Sequence, residues 1–170
     1  AALACDDMLR LAHVLKCPLE VNIFYRTPER MDAILSYINE RKGALGLEVP
    51  VLGSAPDAVI PGLKGPRAAC HREGILESDV MLVPLEDGDR CHALVAMGKT
   101  VVVIDLNPLS RSAQQASITI VDELSRALKS MLELSELEGK VAVDPSYDHH
   151  AVLEAGLGEM LSSLSRSADA

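Results

Sequence analysis

The residues able to do chemistry in this chain sit in short polar runs, each following an apolar one. Leu85-Glu86-Asp87-Gly88-Asp89-Arg90 crowds three carboxylates beside a guanidinium. Two carboxylates about 4 Å apart repel by roughly 4 kcal/mol at an effective dielectric of about 20. A cation relieves such crowding, and Mg²⁺ bound with phosphates uses one or two carboxylates. The plain alternative is a tight turn whose acids favour the start of the next helix; spacing alone leaves the two even. Placement makes Asp87, Asp89 and Arg90 candidates for work on a metal or a substrate.

A second run, Asp105-Leu106-Asn107-Pro108-Leu109-Ser110-Arg111-Ser112, joins an acid to an amide, two hydroxyls and a guanidinium. Those group types orient a ribose, a base and a phosphate, so function is favoured over a simple Pro-containing turn. Arg26 follows the apolar stretch Leu19 to Phe24 and can grip phosphate bidentately, whereas Thr27 beside it reads as a helix cap. Lys64 and Arg67 lie in a Gly- and Pro-rich loop from 53 to 70. They are either a solvated basic loop or a mobile arm closing over an anionic substrate. The five histidines form no HxxxH pattern, and His149-His150 reads as surface. No Walker A motif and no strand-linked GxGxxG is present, nor is a Ser/His/Asp arrangement legible from residue order.

Alternating elements must position these runs. Met8, Leu11, Ala12 and Leu15 recur at helical spacing, and Leu19 to Phe24 reads as a strand. Thr27-Pro28-Glu29 opens a helix with Met31, Ile34, Leu35 and Ile38 as its buried stripe and Gly43 as its end. Glu48 to Leu52, Asp79 to Val83, Thr100 to Ile104 and Ser117 to Val121 are further strands. Arg90 to Met97 is a helix stopped by Gly98, and Asp122 is placed to cap a helix with Leu124, Ala127, Leu128, Met131 and Leu132 on its core face. A last helix starts near Asp148 and ends in a frayed Ser/Ala tail, with Gly156 and Gly158 weakening its pattern. The expectation is an α/β chain with a mostly parallel sheet, doubly wound or close to it, helices on both faces, and a ligand crevice beyond the carboxyl ends of the strands. Residues 1–145 form the expected core, and 146–170 a helix and tail of the same domain.

The bulk composition agrees. Apolar residues make up 48% of 170 residues and aromatics 2%, so the core is aliphatic, which suits strands buried on both faces. A net charge of −9 argues against nucleic acid or an anionic membrane surface as partner, while leaving room for an anionic small molecule in a local positive pocket. No apolar run approaches membrane-spanning length. The four cysteines are widely spaced without a CxxC pair, which points to reduced thiols in a cytoplasmic protein. The start at Ala1-Ala2-Leu3, without Met, suggests a missing upstream segment.

The same runs carry a resemblance. Val21 to Thr27, Ile60-Pro61-Gly62-Leu63, Val83 to Arg90, Met97-Gly98-Lys99, Ile104 to Ser112 and Ile118 to Asp122 are similar, in order and over roughly residues 19 to 128, to the archaeal phosphopantothenate synthetases, the 4-phosphopantoate–β-alanine ligases. The resemblance implies a Rossmann-like fold, a homodimer and a requirement for Mg²⁺. It implies a reaction in which ATP, 4-phosphopantoate and β-alanine give 4′-phosphopantothenate, AMP and diphosphate, within coenzyme A biosynthesis. It implies nucleotide contacts at Asp105, Leu106, Asn107, Arg111 and Ser112, and at Glu123 and Leu124 after the fifth strand. Relatives often carry Asn where this chain has Glu123. The family also has an N-terminal region, absent here, that brings basic residues to the nucleotide. Arg26, Lys64 and Arg67 are left as the expected substrate contacts. Two other readings compete: a non-catalytic module sensing a nucleotide or coenzyme A precursor, and an assembly domain that meets a partner protein through its acidic surface.

Overall fold

Local chemistry sets most element ends. A computed structural model describes residues 2–84, 88–137 and 144–168. Helix α1 (Cys5–Val14) buries Leu9, Leu11 and Ala12. Leu15, expected on that stripe, is exposed because the helix has already ended. Lys16 turns into the left-handed region at φ 53° and donates to His13 O, while Cys17 N donates to Ala12 O, so two last-turn carbonyls are satisfied. Helix α2 (Pro28–Leu45) begins as expected: Thr27 caps it, its side chain accepting from Arg30 N at 3.3 Å, and Pro28 holds the first position. Hydrogen bonds from its own backbone and from Thr27 hold the Glu29 carboxyl below its usual range. The expected stop at Gly43 is corrected. Gly43 stays helical, and Gly46, at φ 64°, makes the left-handed turn. Leu45, packed against the core, draws the helix past Gly43.

The chain divides into two compact units. The first comprises Ala1–Asp79 with Ser125–Val141. In it, β1 (Leu19–Glu20) runs parallel to β2 (Val51–Leu52), with Leu19 opposite Val51 and Glu20 opposite Leu52. Leu9 and Ala12 of α1 and Met31 and Ile38 of α2 close over this pair with Val21 and Val49. The strand expected to reach Phe24 stops earlier. Asn22 gives its side-chain amide to Arg67 O and Ala69 O, at 3.2 and 3.0 Å, and Phe24 and Tyr25 are exposed. The stretch 53 to 70, read as loop, contains a small antiparallel hairpin, β3 (Ala58–Val59) with β4 (Ala69–Cys70), which buries Ile60, Ala68 and Cys70. Helix α5 (Leu124–Ser135) falls almost wholly in this unit, and Leu124, Ala127, Leu128, Met131 and Leu132 form its covered side as expected.

The second unit comprises Val80–Leu124 with Ala142–Ala170. Its sheet has three parallel strands in the order β5 (Val80–Pro84), β6 (Thr100–Ile104), β7 (Ile118–Ile120). Between them run α3 (Gly88–Ala96) and a short α4 (Arg111–Gln115), the latter a helix that the sequence pattern does not announce. Gly98 ends α3 as expected, at φ 81°, with Lys99 N donating to Leu94 O. Helix α6 (His149–Ala168) starts where expected, Asp148 Oδ1 accepting from His150 N and Ala151 N. Gly156 has a packing reason: a Cβ there would lie 3.1 Å from Val121 Cγ1, so its absence lets helix and strand end approach. The fold is α/β and Rossmann-like, with parallel strands alternating with helices. Among the described residues no helix is long and apolar enough to cross a membrane. None of the four cysteines is joined in a disulfide.

Candidate functional site

In the second unit the parallel register sets Pro84, Ile104 and Ile120 side by side, so the segments that follow all leave from one edge of the sheet. Such an edge is where ligands settle in open α/β sheets. Asp87 lies outside the described residues. Asp89 and Arg90 occupy the first turn of α3.

The β6 segment is braced from within. Asp105 N donates to Ile120 O at 3.1 Å, holding the residue against the neighbouring strand. Its Oδ1 accepts from Asn107 N at 2.9 Å and its Oδ2 from Ser110 Oγ at 2.5 Å. Asn107 Oδ1 accepts from Leu109 N at 3.0 Å, and Pro108 is fully buried beneath the turn. Ser110 also caps α4, its Oγ accepting from Ala113 N at 3.0 Å. One acid, one amide and one hydroxyl thus give the turn a fixed shape, while Leu106 and Leu109 stand exposed on it.

The starts of α3 and α4 abut. A Cβ on Gly88 would fall 2.5 Å from Arg111 Cβ, so only glycine fits there. Arg111 Nη2 donates to Asp89 Oδ1 at 2.6 Å, with both side chains well exposed. An exposed pair of this kind is worth about 0–1 kcal/mol, so a stronger anion can displace it. Ser112 is buried, its carbonyl 3.6 Å from Cys91 Sγ. After β7, Glu123 N donates to Asp122 Oδ1 at 2.6 Å, and Glu123 and Leu124 are half-buried. Of the expected residues, Asp89 meets Arg111 and Asp105 meets Asn107 directly. Among the described residues no group of three or more metal-ligating side chains occurs.

The first unit has a strand-end cluster of its own. Arg26 Nη2 donates to Gly53 O, which joins the segments leaving β1 and β2. Arg67 stacks on Phe24, its guanidinium carbon 5.1 Å from the ring centroid. Asn22, holding the Arg67 and Ala69 carbonyls, ties that loop to the strand end. Lys64 is exposed on the same loop. Arg26 and Arg67 thus each meet a segment that leaves β1 or β2. The sequence reading missed Asn22 and His71; the only signal for Asn22 was a polar side chain inside an apolar run.

Known proteins resemble this chain in sequence. The sequence profile described as phosphopantothenate/pantothenate synthetase matches residues 1–161. The chain is 49% identical over 135 residues to a 4-phosphopantoate–β-alanine ligase of Thermococcus kodakarensis, covering 79% of this chain and 50% of that one. To the ligase of the same name from Methanosarcina mazei it is 42% identical over 166 residues, 94% of this chain and 63% of that one. It thus spans between 50% and 63% of the length of these curated relatives. With a profile that runs nearly its whole length, the chain belongs to the phosphopantothenate/pantothenate synthetase family.

Proposed function

We propose that this chain is the nucleotide-handling part of an ATP-dependent ligase that joins 4-phosphopantoate to β-alanine, giving 4′-phosphopantothenate, AMP and diphosphate for coenzyme A synthesis. The observation that carries the reading is the common edge of β5, β6 and β7. There a braced Asp105–Asn107 turn and a displaceable Asp89–Arg111 pair stand at the carboxyl ends of parallel strands. Membership of a family whose curated relatives bear the ligase name supports it.

In the first step a carboxylate oxygen of 4-phosphopantoate attacks the α-phosphorus of ATP. The bond to the bridging oxygen breaks, diphosphate leaves and an acyl adenylate forms. In the second step the neutral amine of β-alanine attacks the acyl carbon, AMP departs with the bonding pair, and the amine gives a proton to solvent. Arg111 and Arg90 offset phosphate charge, which is where fixed donors lower the barrier most. The turn holding Asp105, Leu106 and Asn107 orients the nucleoside, with Ser112, Glu123 and Leu124 backing it. Arg26, Lys64 and Arg67 take the anionic acid substrate. Mg²⁺, where bound, would supply positive charge that offsets the diphosphate. Asp89, with Asp87, would hold it alongside phosphate oxygens, which suits an ion needing only one or two carboxylates. A cytoplasmic homodimer completes the reading.

The test uses the full-length enzyme. AMP should appear only when ATP, 4-phosphopantoate and β-alanine are all present. Release of ADP, or product formation without β-alanine, overturns the reaction.

A further inference from the structure

In the first unit a run of hydrogen bonds not yet assigned a role ends on Arg26. Glu20, the last residue of β1, turns its carboxylate into the turn Arg72–Leu76. Oε1 accepts from His71 N and Oε2 from Ile75 N, both at 2.9 Å. Gly74 makes room for it, since a Cβ there would sit 2.2 Å from Oε2. A carboxylate accepting two backbone hydrogens is strongly oriented, so the His71 backbone is fixed from strand β1.

The His71 ring then reaches the second strand end. Gly53 N donates to His71 Nε2 at 3.1 Å. A backbone N–H has no other role open to it, so Nε2 is the acceptor and the imidazole carries its proton on Nδ1. Gly53 itself has no freedom to drift: φ is +136°, and a Cβ would stand 2.8 Å from Val21 O. Pinned through its N–H by His71, Gly53 offers its carbonyl to Arg26 Nη2. The other terminal nitrogen, Nη1, is buried without a hydrogen-bond partner among the described residues. A buried donor left unmet costs about 1–3 kcal/mol, and an anion oxygen would remove that cost.

We infer that His71, braced by Glu20, is a positioning residue that sets Arg26, through Gly53, to receive the phosphate of the acid substrate. The inference rests on the ligase reading above and deepens it. One terminal nitrogen of the guanidinium is anchored and the other left for the ligand, and a planar fork fixed on one side matches a phosphate monoester better than a free side chain does. Neither His71 nor Glu20 touches the substrate. Their effect is confined to how Arg26 is held.

Steady-state kinetics on the full-length enzyme test this. His71→Ala should raise KM for 4-phosphopantoate roughly tenfold, the equivalent of about 1.4 kcal/mol, with kcat and the KM values for ATP and β-alanine near wild type. His71→Gln, whose Oε1 can accept the Gly53 hydrogen, should recover most of the loss. Equal increases in all three KM values, no increase, or a Gln variant as impaired as the Ala variant overturns the inference. If His71→Ala does not fold, Glu20→Gln decides by the same criterion, because its amide keeps one acceptor where the carboxylate has two. Wild-type enzyme that forms no AMP defeats the ligase reading. Active wild-type enzyme with a selectivity unchanged by these substitutions defeats the positioning role alone.

Discussion

Arg111 is the residue on which the nucleotide reading leans most. Its partner Asp89 is exposed, so the pair contributes little to folding, and its guanidinium is available to phosphate. Arg111→Ala should therefore leave the thermal midpoint nearly unchanged while weakening ATP binding about tenfold or more, as charged hydrogen bonds are worth roughly 1.5–3 kcal/mol. Calorimetry on the full-length enzyme reads the affinity, and a melting curve reads the fold. Single residues were unevenly legible beforehand. Thr27, Pro28, Gly98 and Asp148 act through neighbours in sequence, so capping and turn chemistry reveals them. His71 works on Gly53, 18 residues away, through one side-chain-to-backbone bond, and such a bond leaves no periodic trace. Ser110 lay inside a flagged run, yet its double duty on Asp105 and Ala113 needs coordinates to be seen.

Among the elements, α1 and α2 are joined by a two-pronged ion pair. Arg41 Nε and Nη2 donate to the Asp6 carboxylate at 2.9 and 2.6 Å. The Arg41 hydrogen bond holds the Asp6 carboxyl below its usual range. The folded-state value is depressed, so the stabilisation is fully present above the unfolded-state value, about 3.9. It is lost as pH falls through the folded value. Asp6→Asn should flatten that acid-side decline in a pH series of melting curves. The α1 terminus offers a second handle. Lys16 takes a left-handed conformation that costs a non-glycine residue roughly 1–2 kcal/mol. Allowing for the looser unfolded chain, Lys16→Gly should raise stability by about 0.5–1 kcal/mol, measured by denaturant midpoint. The apolar runs of β5 and β6 were plain in the sequence because buried parallel strands are continuously aliphatic. The first strand was over-read for the same reason: the run Val21 to Phe24 is mostly apolar, but its pairing ends when Asn22 turns to the hairpin carbonyls. Two-residue strands such as β3 and β4 fall below the length at which alternation means anything.

At the scale of the molecule, the alternation of strands and helices was readable. The division into two compact units was not, because α5 returns in space to a part of the chain far behind it in sequence. In the second unit, α6 rests on the strand end through Gly156. Gly156→Val should drive methyl groups into Val121 and lower stability by roughly 1–3 kcal/mol, visible as an earlier unfolding transition. Among the described glycines of that unit Gly88 meets its neighbour most closely, one hydrogen facing the Arg111 side chain. The start of α3 and the arginine-bearing turn are thereby geared together, so neither can be reshaped alone. Any lineage or engineer altering what this edge holds must change the two in concert.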